Sequence, residues 1–496
     1  MMMKLAAIFG DHMVLCRQKE IRLFGEATDG STLIAEMNGA TGCSVAHAGR
    51  FELTLPPMEA GGPYELTVTD GETTLRFADV LVGEVYLAGG QSNMEMELQN
   101  AKDGARLIAG ANLPDVRFYN TPKIAFWDES AESDERKSVW QTALPGQCGG
   151  MSAVAFHFAV SLHAELNMPI GIIDCYWGGT SVTCWLDETT LRGCEEGAAY
   201  LNEYAARTAG QTDDQYDEAE RAFESAMAEW NARVASERQK GATDSEARRL
   251  AGPCPWNPPA GRKSPFRPAG LAHTMLMRVA PYTLTGILYY QGEEDTPHAD
   301  RYRVLLTALI RRWREWFREE NLPFLFAQLP MFAQAGCAED GHWPALRQAQ
   351  AETAQSQSAT AMAVLIDCGE YDNVHPLDKE PVGKRLCLLA LKQMGKLGDS
   401  AESPRALSFT VKDSELRAVL SAKVHCTGEA PALLELAGQD GAFVAAKAEL
   451  ADGGRALRLT APAVLRPRQA RYAWVSFGKV NLVGENGLPL APFWLK

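Results

Sequence analysis

Between Val80 and about Asp367 the chain repeatedly runs a continuously apolar segment into a helical pattern, and this alternation restricts the fold more than any other feature of the sequence. The apolar segments are "VYLA" (85–88), "IGIIDCY" (170–176), "GILYY" (286–290), "PFLFAQL" (323–329) and "MAVLID" (362–367). Helical patterns such as "SAVAFHFAVSLHAEL" and "YRVLLTALIRRWREWFREE" lie between them. A strand with no alternating polar positions is buried on both faces, as in a parallel sheet covered by helices on each side. The middle of the chain therefore reads as α/β.

The flanks have a different texture. Up to about Phe77 the segments are short and alternating, and Asp29-Gly30, Gly61-Gly62-Pro63 and Asp70-Gly71 punctuate them as turns punctuate an antiparallel β-sandwich. After about Pro404 the same texture returns. The expected division is a β-sandwich over 1–79, an α/β domain over 80–402 and a second β domain over 403–496. Within the middle domain, Tyr216, Phe223, Met227, Trp230 and Val234 fall on one face of a helix, marking a helical insertion at about 187–265. The Pro/Gly-rich stretch "GPCPWNPPAGRKSPFRPAG" follows, with Trp256 and Phe266. Its default reading is a rigid connector with both rings packed into the core; the sharper one is a lid or sugar-stacking platform.

Composition excludes several functions. A chain of 496 residues exceeds what one core serves, and none of its apolar runs approaches the ~20 residues of a membrane-spanning helix. A net charge of −15 disfavours nucleic acid and anionic membranes as partners. Eleven cysteines without a Cys-x-x-Cys pair predict reduced structural thiols rather than a disulfide framework or a zinc site. The opening "MMMKLAAIFGDHMVLCRQ" breaks its apolar stretch at Gly10, Asp11 and His12, so the chain as it stands is expected in the cytoplasm.

Four strand ends carry polar groups that fit one chemistry. "VYLA" runs into "GGQSNM", which places Ser92 just past a sharp turn, at the carboxyl rim where open α/β sheets bind ligands. Ser92 is thus a candidate nucleophile, or more simply a helix N-cap. "IGIIDCY" ends in "WGGTS", where Gly178 and Gly179 allow backbone N–H groups close to an anion, or merely make a tight turn. "GILYY" ends in "QGEED", where Gln291 can donate an amide hydrogen to an oxyanion and Glu293 adds a carboxylate. Beyond "MAVLID", "YDNVHP" sets Asp372 three residues before His375. One turn brings such a carboxylate and imidazole to the same side, as a base and its orienting acid require.

The blocks "GGQSNM", "WGGTS", "YYQGEED" and "DNVHP" resemble, in this order, those of the SGNH-type hydrolases, specifically the sialate O-acetylesterase branch of the carbohydrate esterases. "IFGDHMVLCRQ", "LPFLFAQLPMF", "WPALRQAQAE", "HPLDKEPVGKRL" and "RYAWVSFGKVNLVGENGLPLAPF" extend the likeness over nearly the whole chain. The resemblance implies a flavodoxin-like three-layer α/β/α domain flanked by β-sandwiches, with no metal or organic cofactor. It implies Ser92 as nucleophile, His375 as general base and then acid, and Asp372 as orienter, with Glu293 a rival for that last role. The oxyanion hole would combine the Ser92 N–H, the N–H of Gly178 or Gly179, and the Gln291 side chain. The implied substrate is a small acetylated sugar, foremost acetylated sialic acid. Acetylated xylan and simple carbohydrate binding are the alternatives.

Overall fold

The computed structural model describes residues 2–496 as a mixed α/β protein with a large mixed sheet and additional β-sheets. Two compact units are formed, Met1–Tyr289 with Thr307–Phe324, and Tyr290–Leu306 with Leu325–Lys496.

In the first unit, strand Thr74–Gly90 links two kinds of sheet. Its first six residues alternate between exposed and half-buried, and pair antiparallel with Gly61–Thr69. From Val80 every residue is buried, which is where the texture of the sequence changes. This second half pairs in parallel with Ile170–Tyr176, itself parallel to Leu113–Asn120. The order is Trp140–Ala143, Leu113–Asn120, Ile170–Tyr176, Thr74–Gly90, Gly286–Tyr290. Ile170–Tyr176 and Gly286–Tyr290 coincide with the apolar segments read from the sequence and are buried throughout. The flanking strands of the β texture show one buried face, as Thr32–Met37 and Arg50–Leu55 do by alternation.

Helix Ala153–Leu166 starts where Ser152 accepts the N–H of Ala155 at 3.2 Å. Further helices lie within the stretch 187–265. Asp213–Gln239 and Asp244–Ala251 each begin with a capping box, from Thr212 with Gln215 and from Thr243 with Glu246. Trp230, Val234, Ala247 and Ala251 form their shared core.

In the second unit the last apolar segment departs from expectation. The strand occupies Thr360–Ala363 and ends before "VLID" begins. Val364, Leu365 and Ile366 are buried nonetheless, and the Val364 carbonyl accepts from the Arg385 guanidinium at 2.5 Å instead of from a ladder partner. The apolar run signals burial here, not strand. Two of these residues, Val364 and Ile366, join the core of the C-terminal β-sheets, where with Met331 they pack among Leu436, Leu457 and Tyr472. Buried Arg347 ties into that region by donating to the Ala473 carbonyl at 3.1 Å.

All eleven cysteines are free; five are buried, while Cys43, Cys254 and Cys337 are exposed. Among the described residues no helix is long and apolar enough to cross a membrane, and no cluster of three His, Cys, Asp or Glu side chains could hold a metal ion.

Candidate active site

The Gly-Gly before Ser92 has two separate physical causes. A Cβ at Gly89 would lie 2.8 Å from the Trp313 ring, and Gly90 has φ +135°, a backbone conformation L side chains rarely adopt. The chain then turns into a single helical turn, Ser92–Glu95, whose cap position belongs to Gln91. The Gln91 carbonyl accepts the N–H groups of Met94 and Glu95 at 2.9 Å. The cap position is therefore not that of Ser92, whose side chain is half-buried.

Gly178 and Gly179 stand beside this turn in the same unit. A Cβ at Gly178 would be 3.3 Å from the Ser92 Cβ. The Gly178 N–H donates to the Glu95 carboxylate, which also receives the Lys123 ammonium. Glu95 thus ties the serine turn to the glycine loop. Gly179 has φ +71°, and a Cβ there would fall 2.2 Å from the Trp256 ring. A side chain at this position meets both strain and a wall. Trp256 is 42% exposed and Phe266 half-buried, so the connector's rings are only partly packed, against the expectation of core burial.

A cavity of about 330 Å³ opens at the carboxyl ends of Leu113–Asn120 and Ile170–Tyr176. Glu95, Glu97, Lys123, Asp174 and Tyr176 are among its lining residues. Asp174 is buried and accepts the Ser152 N–H at 3.2 Å. Burial pushes its carboxyl up to about 7 from the ordinary 3.8. A raised carboxyl binds its proton more tightly in the folded state, so its contribution is greatest at low pH and is lost as pH rises through about 7. Asp174→Asn is accordingly expected to be more stable than the wild type at pH 8, by up to about 4 kcal/mol, with the gain shrinking towards pH 5. Thermal unfolding of both proteins at the two pH values measures this; an advantage that grows towards pH 5 contradicts it.

The remaining candidates belong to the second unit. Gln291 is buried, and its side-chain amide donates to Asp295 at 2.6 Å while its Oε1 accepts from Tyr302 at 2.8 Å. Gln350 holds the Gln291 carbonyl at 3.2 Å. Gly292 follows at φ +151°, where a Cβ would reach Leu346 at 2.8 Å. Glu293 opens the short helix Glu293–His298 and lies in the field of buried Lys379. Burial lowers that lysine to about 8, and its ammonium sits 5.6 Å from the Tyr290 ring centre.

Asp372 adopts φ +59° and its Oδ1 accepts the Ala335 N–H at 2.8 Å. The turn that carries His375 is organised by Glu370, which accepts from the Asn373 side chain at 2.8 Å and from the Leu377 N–H at 3.0 Å. Asn373 in turn accepts the His375 N–H at 3.1 Å. Sequence reading missed Glu95, Asp295, Glu370, Asn373 and Lys379. Asn373 sits inside the "YDNVHP" block and Lys379 four residues beyond His375, so their proximity to the histidine was the available signal.

Comparison with known proteins bears on this arrangement. Residues 270–386 match the family model "Carbohydrate esterase, sialic acid-specific acetylesterase", a span that contains Gln291, Glu293, Asp372 and His375. The sialate O-acetylesterase of Rattus norvegicus is 30% identical over 369 residues, covering 68% of this chain and 62% of the rat protein. That of Mus musculus is 28% identical over 367 residues, again covering 68% and 62%. The chain therefore spans about six-tenths of the length of these curated relatives. The crystal structure of a carbohydrate acetylesterase from Xanthomonas citri superposes with a TM-score of 0.78 at 27% identity, covering all of both chains. By these likenesses the chain is similar to the sialate O-acetylesterases, and its residues 270–386 match the model of the sialic acid-specific carbohydrate esterases.

Proposed function

We propose that this protein is a carbohydrate O-acetylesterase that removes acetyl groups from sialic acid through Ser92. The observation that carries the reading is the serine turn itself. A serine stands at the carboxyl end of a buried parallel strand, its cap duty taken by Gln91, with a glycine loop pinned alongside by Glu95. The names of the rat and mouse relatives and of the Xanthomonas citri protein support the substrate class. The architecture we propose is a three-layer α/β/α domain of the SGNH type between two β-sandwiches.

In this mechanism His375 takes the Ser92 Oγ proton as the oxygen attacks the acetyl carbonyl, and Asp372 holds the imidazole in the required tautomer. The tetrahedral oxyanion is met by the N–H groups of Ser92 and Gly179 and by the Gln291 amide. Gly178 is not used, because its N–H serves Glu95. Asp295 and Tyr302 fix the Gln291 side chain in advance, so donor alignment costs little reorganisation during the reaction. Collapse of the intermediate passes the imidazolium proton to the departing sugar hydroxyl. Water, deprotonated by His375, then attacks the acetyl-serine and releases acetate.

The test is acetate release by the purified protein from 9-O-acetylated sialic acid beside acetylated xylo-oligosaccharides. Release from the sialic acid alone is expected. Release from the xylo-oligosaccharides alone moves the substrate to plant polysaccharide, and release from neither overturns the assignment.

A further inference from the structure

The helical insertion and its connector have no part in the chemistry above, yet they bring one exposed aromatic residue to the glycine loop. The connector is fixed from several points. The Trp230 indole donates to the Gly252 carbonyl at 2.9 Å and Arg233 to the Ala251 carbonyl at 3.1 Å. Further on, the Tyr204 hydroxyl donates to the Gly261 carbonyl at 2.9 Å and accepts the Gly261 N–H at 2.8 Å. Lys263 pairs with Asp217 at 2.9 Å. Between these anchors stands Trp256, held edge-to-face by Phe223 on the long insertion helix (centroids 5.8 Å, 70°) and by Phe266 (5.7 Å, 83°).

Two T-shaped contacts restrain the indole while leaving 42% of the residue open. The ring edge also occupies the space where a Gly179 Cβ would stand, and the neighbouring glycine abuts Ser92. An exposed, rigid aromatic surface beside a candidate nucleophile suits a flat apolar partner, and the C–H face of a pyranose is one. We infer that Trp256 is a stacking platform for the sugar ring that bears the ester, and that the insertion serves as the mount that positions it. This rests on Ser92 being the nucleophile, and it adds that sugar selectivity resides in the insertion.

The test compares an acetylated sugar, 9-O-acetylated sialic acid, with ethyl acetate, which has no ring to stack. In Trp256→Ala the ratio of kcat/KM for the sugar to that for ethyl acetate is expected to fall about tenfold, mainly through KM, while Trp256→Phe restores most of it. A ratio that stays constant, whether both rates fall or neither does, overturns the inference, because the indole then only props the glycine loop. A second measurement separates this from the esterase reading. Free sialic acid is titrated calorimetrically into Ser92→Ala and into Ser92→Ala/Trp256→Ala. About tenfold weaker binding to the double variant supports the platform even if no ester is cleaved, and equal affinity or no binding to either overturns it.

Discussion

Ser92→Ala is expected to lower ester turnover by about 10⁵-fold or more, leaving only what the oxyanion donors and binding supply. The folded state is expected to be unaffected, for a specific reason. The helical turn after Ser92 is held by backbone bonds, Met94 and Glu95 N–H to the Gln91 carbonyl and Met96 N–H to the Ser92 carbonyl at 2.9 Å. None involves the serine hydroxyl. If Ser92 were a helix cap, its loss would cost about 1 kcal/mol of stability and little activity. Steady-state kinetics with thermal unfolding separate the two cases: lost turnover with an unchanged midpoint is expected, and retained turnover with a lowered midpoint would contradict the assignment.

The second large effect concerns the carboxylate proposed to orient His375. Asp372→Asn is expected to lower kcat about 10⁴-fold, as loss of a triad aspartate does through the wrong imidazole tautomer. The asparagine keeps an acceptor for the Ala335 N–H, so the turn itself should survive. Glu293→Gln is expected to cost far less in rate, because Glu293 lies in the field of buried Lys379 and opposes the effect of burial on that lysine. Its loss should instead lower the lysine's pKa further below about 8, since one favourable charge is gone. Pre-steady-state and steady-state rates of the two variants, measured side by side, decide the matter. A larger loss in Glu293→Gln transfers the orienting role to Glu293, and two mild effects mean that neither carboxylate holds the imidazole.

Much of this protein was legible because burial on both faces leaves a simple trace. Ile170–Tyr176 and Gly286–Tyr290 were readable residue by residue, and the change from alternating to continuous apolarity at Val80 matches the burial of the strand it lies in. Leu113–Asn120 was not anticipated, since Pro114, Asp115 and Arg117 interrupt its apolar pattern although Val116 and Phe118 are fully buried. "MAVLID" misled for the opposite reason: apolarity records removal from water, and Arg385 can satisfy a buried carbonyl as well as a strand can. Candidate site residues at strand ends could be picked out by local spacing, while Glu95, whose partner Gly178 lies 83 residues away, could not. Its acidity near the start of a helix suggested only a favourable first turn. Trp256 was visible, but its setting against Gly179 depends on the fold of the insertion.

The central claim is that Ser92 is the nucleophile, and the most direct test is covalent. Incubation of the full chain with a fluorophosphonate, followed by peptide mass spectrometry, is expected to place one adduct on the peptide containing Ser92 and none on Ser92→Ala, with acetate release lost in step with labelling. An adduct on a different residue, or full acetate release from completely labelled protein, would contradict the account.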